Sequence, residues 1–518
     1  MGDGDGSNGA VSGLAAGVKG EGLSARIREL EGVLVIVGIF FAILMGAMDA
    51  LVVSTVLPTI ATDLNQVNGV TFVVSGYLVS STIAIPIFGR LSDITSRRNV
   101  FLTGLAIFIV GSAFAGLSQN LTELIIFRSV QGFGGGGIFP VAIAMVAVMF
   151  PPEQRTRIIG ILSAASGVAI VAGPLLGSYI VSVTTWRWVF YINLPFGIFA
   201  FAIVWLAVGP LRPATTGRFD VPGAALLSGW VATLMIALIQ VANAGWGWLD
   251  PRIVLLLGTT FALLAVFLVW ELRAKEPLLP LRLLGRRVIA SASGIMLFTG
   301  VVFSALITFL SLYVGIVLGL PAGDIRDMIY FVAVPVIVAA ALCGAVLNRV
   351  SYRTVVVPGL LIAGVAGLFL ANLTPTTPLW DLAFGIIPVG GIALPLIPIG
   401  FGLGLALAGA TIAVQNEAPR DEVGGAIALT RFFQSLGGAV GISLLTIFQS
   451  WRFRTLSAGA TTPSEMLDAL VSSFNGVFLL LAISTLIAFV CALWLTGRVS
   501  PARSNEDAEL PVTTDRPA

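Results

Sequence analysis

The sequence predicts an all-α polytopic membrane protein, on three observations. Fourteen stretches are each long and apolar enough to cross a bilayer. The Lys and Arg residues fall almost entirely in alternate gaps between those stretches. Hydrophobic residues make up 57% of the chain and charged residues 10%, a balance that a water-soluble chain of 518 residues carries only with large exposed apolar patches. A net charge of +2 implies no strongly charged partner, so nucleic acid is not expected.

The spans fall at 33–57, 70–88, 99–117, 123–149, 158–180, 188–208, 221–243, 252–270, 288–312, 326–347, 353–371, 384–415, 423–448 and 474–496. Each is predicted to be a helix, because a backbone facing lipid must satisfy its own hydrogen bonds. If residues 1–32 are cytoplasmic, 21 basic residues lie on that side and five on the other, with Arg128 and Arg431 inside spans. That bias places both termini in the cytoplasm. Residues 1–32 and 497–518 are expected to be disordered tails, and no cleavable signal peptide is visible. The twelfth stretch is too long for one crossing, about 48 Å at 1.5 Å per residue. Pro388, Gly390, Gly391, Pro395 and Pro398 interrupt it, so the crossing is expected to begin near Ile392 with 384–391 at the outer interface.

A charge deep in a membrane costs about 2.5–3.5 kcal/mol on insertion scales, so it is retained chiefly where it has a task or a partner. Three residues qualify: Asp49, Arg128 and Arg431. Asp49 sits about 24 Å above the inner edge of the first span, a depth comparable with that of Arg128 on the fourth. The chain has no histidine, so a proton carried across the membrane must ride on a carboxylate. Desolvation makes a carboxylate hold its proton and an approaching guanidinium makes it let go, so motion that changes their separation couples protons to conformation. A static ion pair that fixes helix packing is the alternative. Gln131 and Gln434 each lie one turn from an Arg, Arg128 and Arg431, and are expected to line the same cavity wall. A structural role for Arg431 stands beside that one.

Gly132, Gly134 and Gly137 spell G-x-G-x-x-G, but no strand precedes them, and close helix packing is the expected use. Gly173, Pro174 and Gly177 form a kinkable, closely packed wall. Cys343 and Cys491 lie in apolar spans as small hydrophobes, with no metal site expected. The N-x-T sequons at Asn120 and Asn372 lie too close to spans to be read as more than chance matches. No phosphate-binding G-x-x-x-x-G-K-[ST] segment exists, which argues against direct ATP drive from this chain.

After the second span comes G-R-L-S-D-I-T-S-R-R, Gly89 to Arg98, and after the tenth G-A-V-L-N-R-V-S-Y-R, Gly344 to Arg353, aligned at a spacing of 255. Such a repeat in corresponding cytoplasmic loops suggests two homologous halves. The first loop resembles the loop motif of the major facilitator superfamily, and R-S-V-Q-G-F-G-G-G from Arg128 resembles its fourth-helix motif. A-G-P-L-L-G, Ala172 to Gly177, resembles the motif of its antiporter branches, departing after Gly177 at Ser178. W-R-W-V-F-Y-I-N-L-P-F-G, Trp186 to Gly197, and M-D-A-L-V-V-S-T-V-L-P, Met48 to Pro58, are similar to segments of its fourteen-helix drug:proton antiporters.

That resemblance implies two six-helix bundles, 33–208 and 288–496, with two additional transmembrane helices and a cytoplasmic linker over 209–287. It links the first-span acid, Asp49, and the fourth-helix Arg128 to proton translocation. Gly89, Asp93, Arg97 and Arg98 sit where a cytoplasmic gate is needed, and Asp93 can cap a helix N-terminus and pair with Arg. The implied function is proton-coupled efflux of hydrophobic or amphiphilic small molecules from a multi-pass cell-membrane protein, with no cofactor and no enzymatic step. The partners expected are such a substrate, protons and membrane lipids, and the expected state is a monomer. Export of an endogenous lipid or lipid-like metabolite is the alternative within transport, and a non-transporting receptor on the same fold the alternative outside it. With Asp49 the single deep acid, neutral, zwitterionic or monocationic amphiphiles are expected over compact dications.

Overall fold

The computed structural model describes residues 8–66, 69–150, 152–209, 218–243, 246–347, 350–373, 391–419 and 423–497, without the side chains of 8–31, 147, 243, 423 and part of 152–166. Each predicted span has its helix among the described residues, and no strand occurs among them. The first five are α1 (Asn8–Asp63), α2 (Phe72–Ile94), α3 (Arg97–Leu117), α4 (Leu121–Met149) and α5 (Pro152–Val183). The sixth is broken into α6 (Trp188–Tyr191) and α7 (Asn193–Ala207), and α8 (Val221–Asn243) and α9 (Pro251–Arg273) follow as a hairpin. Then come α10 (Arg287–Leu312), α11 (Ala322–Leu347), α12 (Tyr352–Leu370), α13 (Ala393–Glu417), α14 (Val423–Ser457) and α15 (Pro463–Ala492). Among the described residues thirteen helical stretches are long and apolar enough to span a bilayer, and α5 adds the apolar segment Gly167–Val183.

Helix starts follow local chemistry. The Asn120 side chain accepts from the Glu123 amide, Asp250 precedes Pro251 and accepts from Arg252, and Thr462 with Glu465 forms a reciprocal capping box before α15. Asn120, the sequon residue, is thus consumed as a cap. The twelfth crossing starts at Ala393 with Ile392 as its cap, as the Pro and Gly interruptions require; 374–390 lie outside the described residues. The expected disordered tail over 1–32 differs from the structure, in which α1 is already helical at Asn8. Nucleation is the costly step of helix formation, and a helix fixed by its membrane span extends backwards one residue at a time without repeating that cost. The other tail, from 498 on, lies outside the described residues.

The chain divides into two compact units, residues 1–278 with 310–326, and residues 279–309 with 327–518. In the first, α4 packs between α2 and α3, α1 lies against α5 and α7, and α8 pairs with α9 and touches α2. In the second, α12 lies against α13 and α15, and α14 against α15. The expected six-helix segments fall in different units apart from 310–326, and the additional helices α8 and α9 are grouped with the first.

Glycines set the closest approaches, where a helix backbone meets its neighbour without a Cβ between them. A Cβ on Gly132 or Gly136 would overlap the carbonyl oxygen of Tyr77 or Ser81 on α2, and one on Gly134 the Phe108 amide nitrogen and the Gly104 carbonyl on α3. In the second unit a Cβ on Gly400 or Gly404 would overlap the Val332 or Val336 carbonyl on α11, and one on Gly402 the Gly359 carbonyl on α12. Tyr77 with Val332, Ser81 with Val336 and Gly104 with Gly359 are each 255 positions apart, the spacing of the two loop sequences. The helical G-x-G-x-x-G is therefore a packing device, and α13 does in its unit what α4 does in the first.

Candidate proton-coupling site

Charge is placed where these packed faces meet. Asp49 on α1 and Arg128 on α4 are 1% and 0% exposed, and Arg128 Nη1 forms an ion pair with Asp49 Oδ2. Gln131, one turn on from Arg128, accepts from Nη1 through Oε1 at 2.7 Å and donates through Nε2 to Asp49 Oδ1 at 2.9 Å. Asn193, the first residue of α7, donates to the same Oδ1 at 2.8 Å. Ser112 Oγ on α3 accepts from both amides, at 3.1 Å from Gln131 and 3.0 Å from Asn193, and donates to the Phe190 carbonyl at 2.9 Å. Arg128 Nε reaches the Val73 carbonyl at 3.4 Å, and its guanidinium lies 4.3 Å from the Tyr77 ring centre and 5.7 Å from that of Phe190.

Each helix brings its member through a close contact. Gly111, the neighbour of Ser112, sets α3 on the backbone of Gln131, where a Cβ would stand 2.6 Å from Gln131 Cα. Gly132 lets α2 approach α4 and so places Tyr77 beneath Arg128. On the other side of Asp49, a Cβ on Gly173 would lie 2.9 Å from that of Leu51, and one on Gly177 would lie 3.1 Å from the Val52 carbonyl. Gly173 and Gly177 thus hold the neighbouring face of α1, that of Met48, Leu51, Val52 and Thr55. At the junction of α6 and α7, Ile192, the Phe190 carbonyl accepts from Ser112 and a helix starts at Asn193.

The segment from Trp186 is tied down at its other end. Trp186 Nε1 donates to Asp63 Oδ2 at 2.8 Å, Arg187 pairs with Asp63 at 3.3 Å, and Arg187 Nη2 donates to the Ser118 carbonyl at 3.2 Å. These bonds fasten α6 to the ends of α1 and α3, and so fix where Asn193 falls.

Of the residues expected to matter, Asp49, Arg128 and Gln131 come together. Gln131 is not part of an open cavity wall, which corrects that expectation: its amide is fully buried and bonded at both ends, because charges this deep need every nearby dipole. Arg431 and Gln434 lie in the second unit on α14, where Arg431 Nη1 donates to Gln434 Oε1 at 2.9 Å and the Arg side chain is exposed. That bond copies the Arg128–Gln131 bond, yet α14 is the counterpart of α5. Gly437 and Gly441 pack on Leu297 and Val301 of α10 as Gly173 and Gly177 pack on α1.

At the α2–α3 turn, Asp93 lies in the last turn of α2, and the N-cap of α3 is Ser96. An acid in the last turn of a helix faces the negative end of its dipole, and Asp93 instead pairs with Arg97 at 3.5 Å. Arg98 donates to the Trp205 carbonyl at 2.6 Å and lies 4.6 Å from that residue's ring centre, while Gly89 borders open space. Arg90, which the sequence did not single out, forms an ion pair with Glu276 beyond α9. Asn348, the counterpart of Asp93, lies outside the described residues. No cluster of three His, Cys, Asp or Glu side chains that could hold a metal ion occurs among the described residues.

Ser112, Asn193 and Tyr77 were not anticipated. Only Asn193 carried a signal, since it stands inside the segment running from Trp186 to Gly197.

Residues 39–442 match the family model of the Major Facilitator Superfamily. The chain is 31% identical to a multidrug transporter protein, MdtP, of Bacillus subtilis over 87% of its length and 82% of that protein. It is 29% identical to a triacylglyceride transporter of Mycolicibacterium hassiacum over 90% of its length and 92% of that one. The crystal structure of a bacterial homologue of the human lysosomal transporter Spinster superposes with a TM-score of 0.64 at 17% identity, covering 92% of this chain and 99% of that one, and so shares the fold. A helical membrane chain whose sequence matches this family across most of its length, and whose two units repeat one packing scheme, belongs to the major facilitator superfamily of transporters and is not an enzyme.

Proposed function

We propose that this protein exports hydrophobic or amphiphilic small molecules across the cell membrane in exchange for protons, by alternating access, with both termini in the cytoplasm. The observation that carries the reading is the buried Asp49–Arg128 pair. A fully desolvated carboxylate and guanidinium repay the cost of burial only while both are charged and paired. Protonation of Asp49 cancels one partner, loosens α1 from α4 and leaves Arg128 to find another arrangement; loss of the proton re-forms the pair. The similarity to a multidrug transporter supports the substrate class. At the expected cytoplasmic end, Asp93–Arg97 and Arg98–Trp205 act as a latch beside Gly89, and Arg431 and Gln434 are the candidate substrate contacts of the second unit.

A second reading, export of a lipid or lipid-like molecule, is favoured by the similarity to a triacylglyceride transporter. The purified protein in proteoliposomes, under an imposed pH gradient, separates the two when dye efflux and transfer of a labelled triacylglyceride are followed in the same vesicles. Dye efflux that depends on the gradient is the expected result. Efflux indifferent to the gradient overturns proton coupling, and triacylglyceride transfer without dye efflux replaces the first reading by the second. Because Asp49 is already bonded to Arg128, compact dications should be poor substrates beside monocations of equal size and hydrophobicity.

A further inference from the structure

The hydrogen bonds around Asp49 assign unequal parts to the two amides that touch it. Asp49 receives donors only: Arg128 at Oδ2, and Gln131 and Asn193 at Oδ1. No bond in this arrangement offers an acceptor to a protonated carboxyl. The orientation of both amides is set by Ser112. A hydroxyl has one proton to give, and Ser112 gives it to the Phe190 carbonyl, so it meets Gln131 and Asn193 as an acceptor and both must present N–H.

Gln131 cannot turn over. Its Oε1 accepts from Arg128, and reversal would press its N–H₂ against the guanidinium. Asn193 is held on one side alone: its Nδ2 bonds Asp49 and Ser112, while its buried Oδ1 has no hydrogen-bond partner among the described residues. Turning that amide over puts an acceptor where Asp49 Oδ1 now receives a donor, which is what a protonated carboxyl needs. We propose that Asn193, locked as a donor by Ser112, is the positioning residue that sets how tightly Asp49 holds its proton, and that its amide turns over when Asp49 is protonated. This rests on the proton-coupling reading of the site. The other titratable or charged groups facing Asp49 are Arg128 from α4 and Tyr77 from α2; α3 and α7 present Ser112 and Asn193, neither of which titrates, and α5 packs through Gly173 and Gly177 on Met48, Leu51 and Val52 beside it.

The test is a pH titration of the protonated carboxyl C=O stretch by infrared difference spectroscopy on the purified full-length protein, with Asp49→Asn identifying the band. Asn193→Leu keeps the branched outline at Cγ, though it is larger, and removes the donor, so the charged form loses a bond and the proton is held to higher pH. The midpoint should rise by about one pH unit or more, the usual effect of a hydrogen bond to a charged group. Ser112→Ala releases the lock without touching Asp49 and should raise the midpoint by less; it decides the matter if Asn193→Leu does not fold. Midpoints that stay put or fall overturn the assignment. Because the band reports Asp49 directly, its answer is independent of transport. Should gradient-driven efflux survive Asp49→Asn, the coupling reading fails instead.

Discussion

The two units build the same helix scaffold and put opposite chemistry at its centre. The glycine contacts place Ser112 in register with Gly367, 255 positions on, and Gln131 and Arg128 with Ile399 and Leu396, 268 positions on. The contact of Met48 with Gly173 corresponds to that of Leu297 with Gly437, which sets Asp49 against Phe298; Gly367 meets Ala482 where Ser112 meets Asn193. Five polar or charged positions in the first unit are thus Gly, Ile, Leu, Phe and Ala in the second. There Gly367, Ile399 and Ala482 border a small apolar hollow with Val302, Leu306 and Thr485. Where one unit fills its centre with long bonded side chains, the other leaves a void that small residues cannot fill. Buried charge is costly to keep, and among the described residues it is kept in the unit to which the proposed chemistry is assigned.

The largest way to break that comparison is Asp49→Asn, which removes the titrating group at nearly constant volume. Gradient-driven efflux should fall to background while the purified protein keeps its elution profile and helical content. The register mate Phe298→Leu should leave coupling intact. If both variants lose gradient dependence alike, the division of labour between units is wrong.

Arg128→Leu comes next. It strands a buried carboxylate, a change that costs about 3–5 kcal/mol when one partner of a buried pair is removed. Thermal unfolding in detergent should show a marked fall in Tm, and adding Asp49→Leu should recover part of it, since no charge is then left unpaired. Arg128→Lys should also impair transport, because an ammonium cannot hold Asp49, Gln131 and Val73 together as the guanidinium does. Full stability in Arg128→Leu would show that Asp49 is not charged where it sits.

Smaller effects test the repeat itself. Gly134→Ala and Gly402→Ala each place a methyl against a neighbouring helix backbone, on α3 and α12 respectively. Overpacking of this kind typically costs about 1–3 kcal/mol, and similar losses in Tm are expected for the two. Gly89→Ala, with open space around it, should cost far less.

The division between what was legible in the sequence and what was not follows from cost. Helices could be read because apolar length has no other use in such a chain, and Asp49 with Arg128 because a deep charge is too expensive to be idle. Ser112 and Tyr77 were hidden because an uncharged polar side chain in a span is cheap when it bonds a nearby carbonyl, as Ser54 does to Ala50 and Thr299 to Ile295. At Arg431 and Gln434 the spacing copies the local bond of Arg128 to Gln131, on a helix that is the counterpart of α5.

The smallest expected effect is the sharpest test of register. Gly367→Ala adds a methyl at the position equivalent to Ser112, with its Cβ 3.1 Å from that of Ala482. Replacing a helical glycine gains about 0.5–1 kcal/mol in backbone terms, and a contact this tight returns some of that unless the hollow beside it lets Ala482 shift. The net change in stability should stay within about 1 kcal/mol. Transport and its pH dependence should not move, because nothing around Gly367 titrates. Ser112→Ala is the same kind of change, to alanine at the mate position, and there it removes an acceptor from two buried amides and the donor to a carbonyl. Its pH profile should shift while its stability falls by about 1–3 kcal/mol. If Gly367→Ala shifts the pH profile as Ser112→Ala does, the second unit carries proton chemistry too, and the contrast between the two halves dissolves.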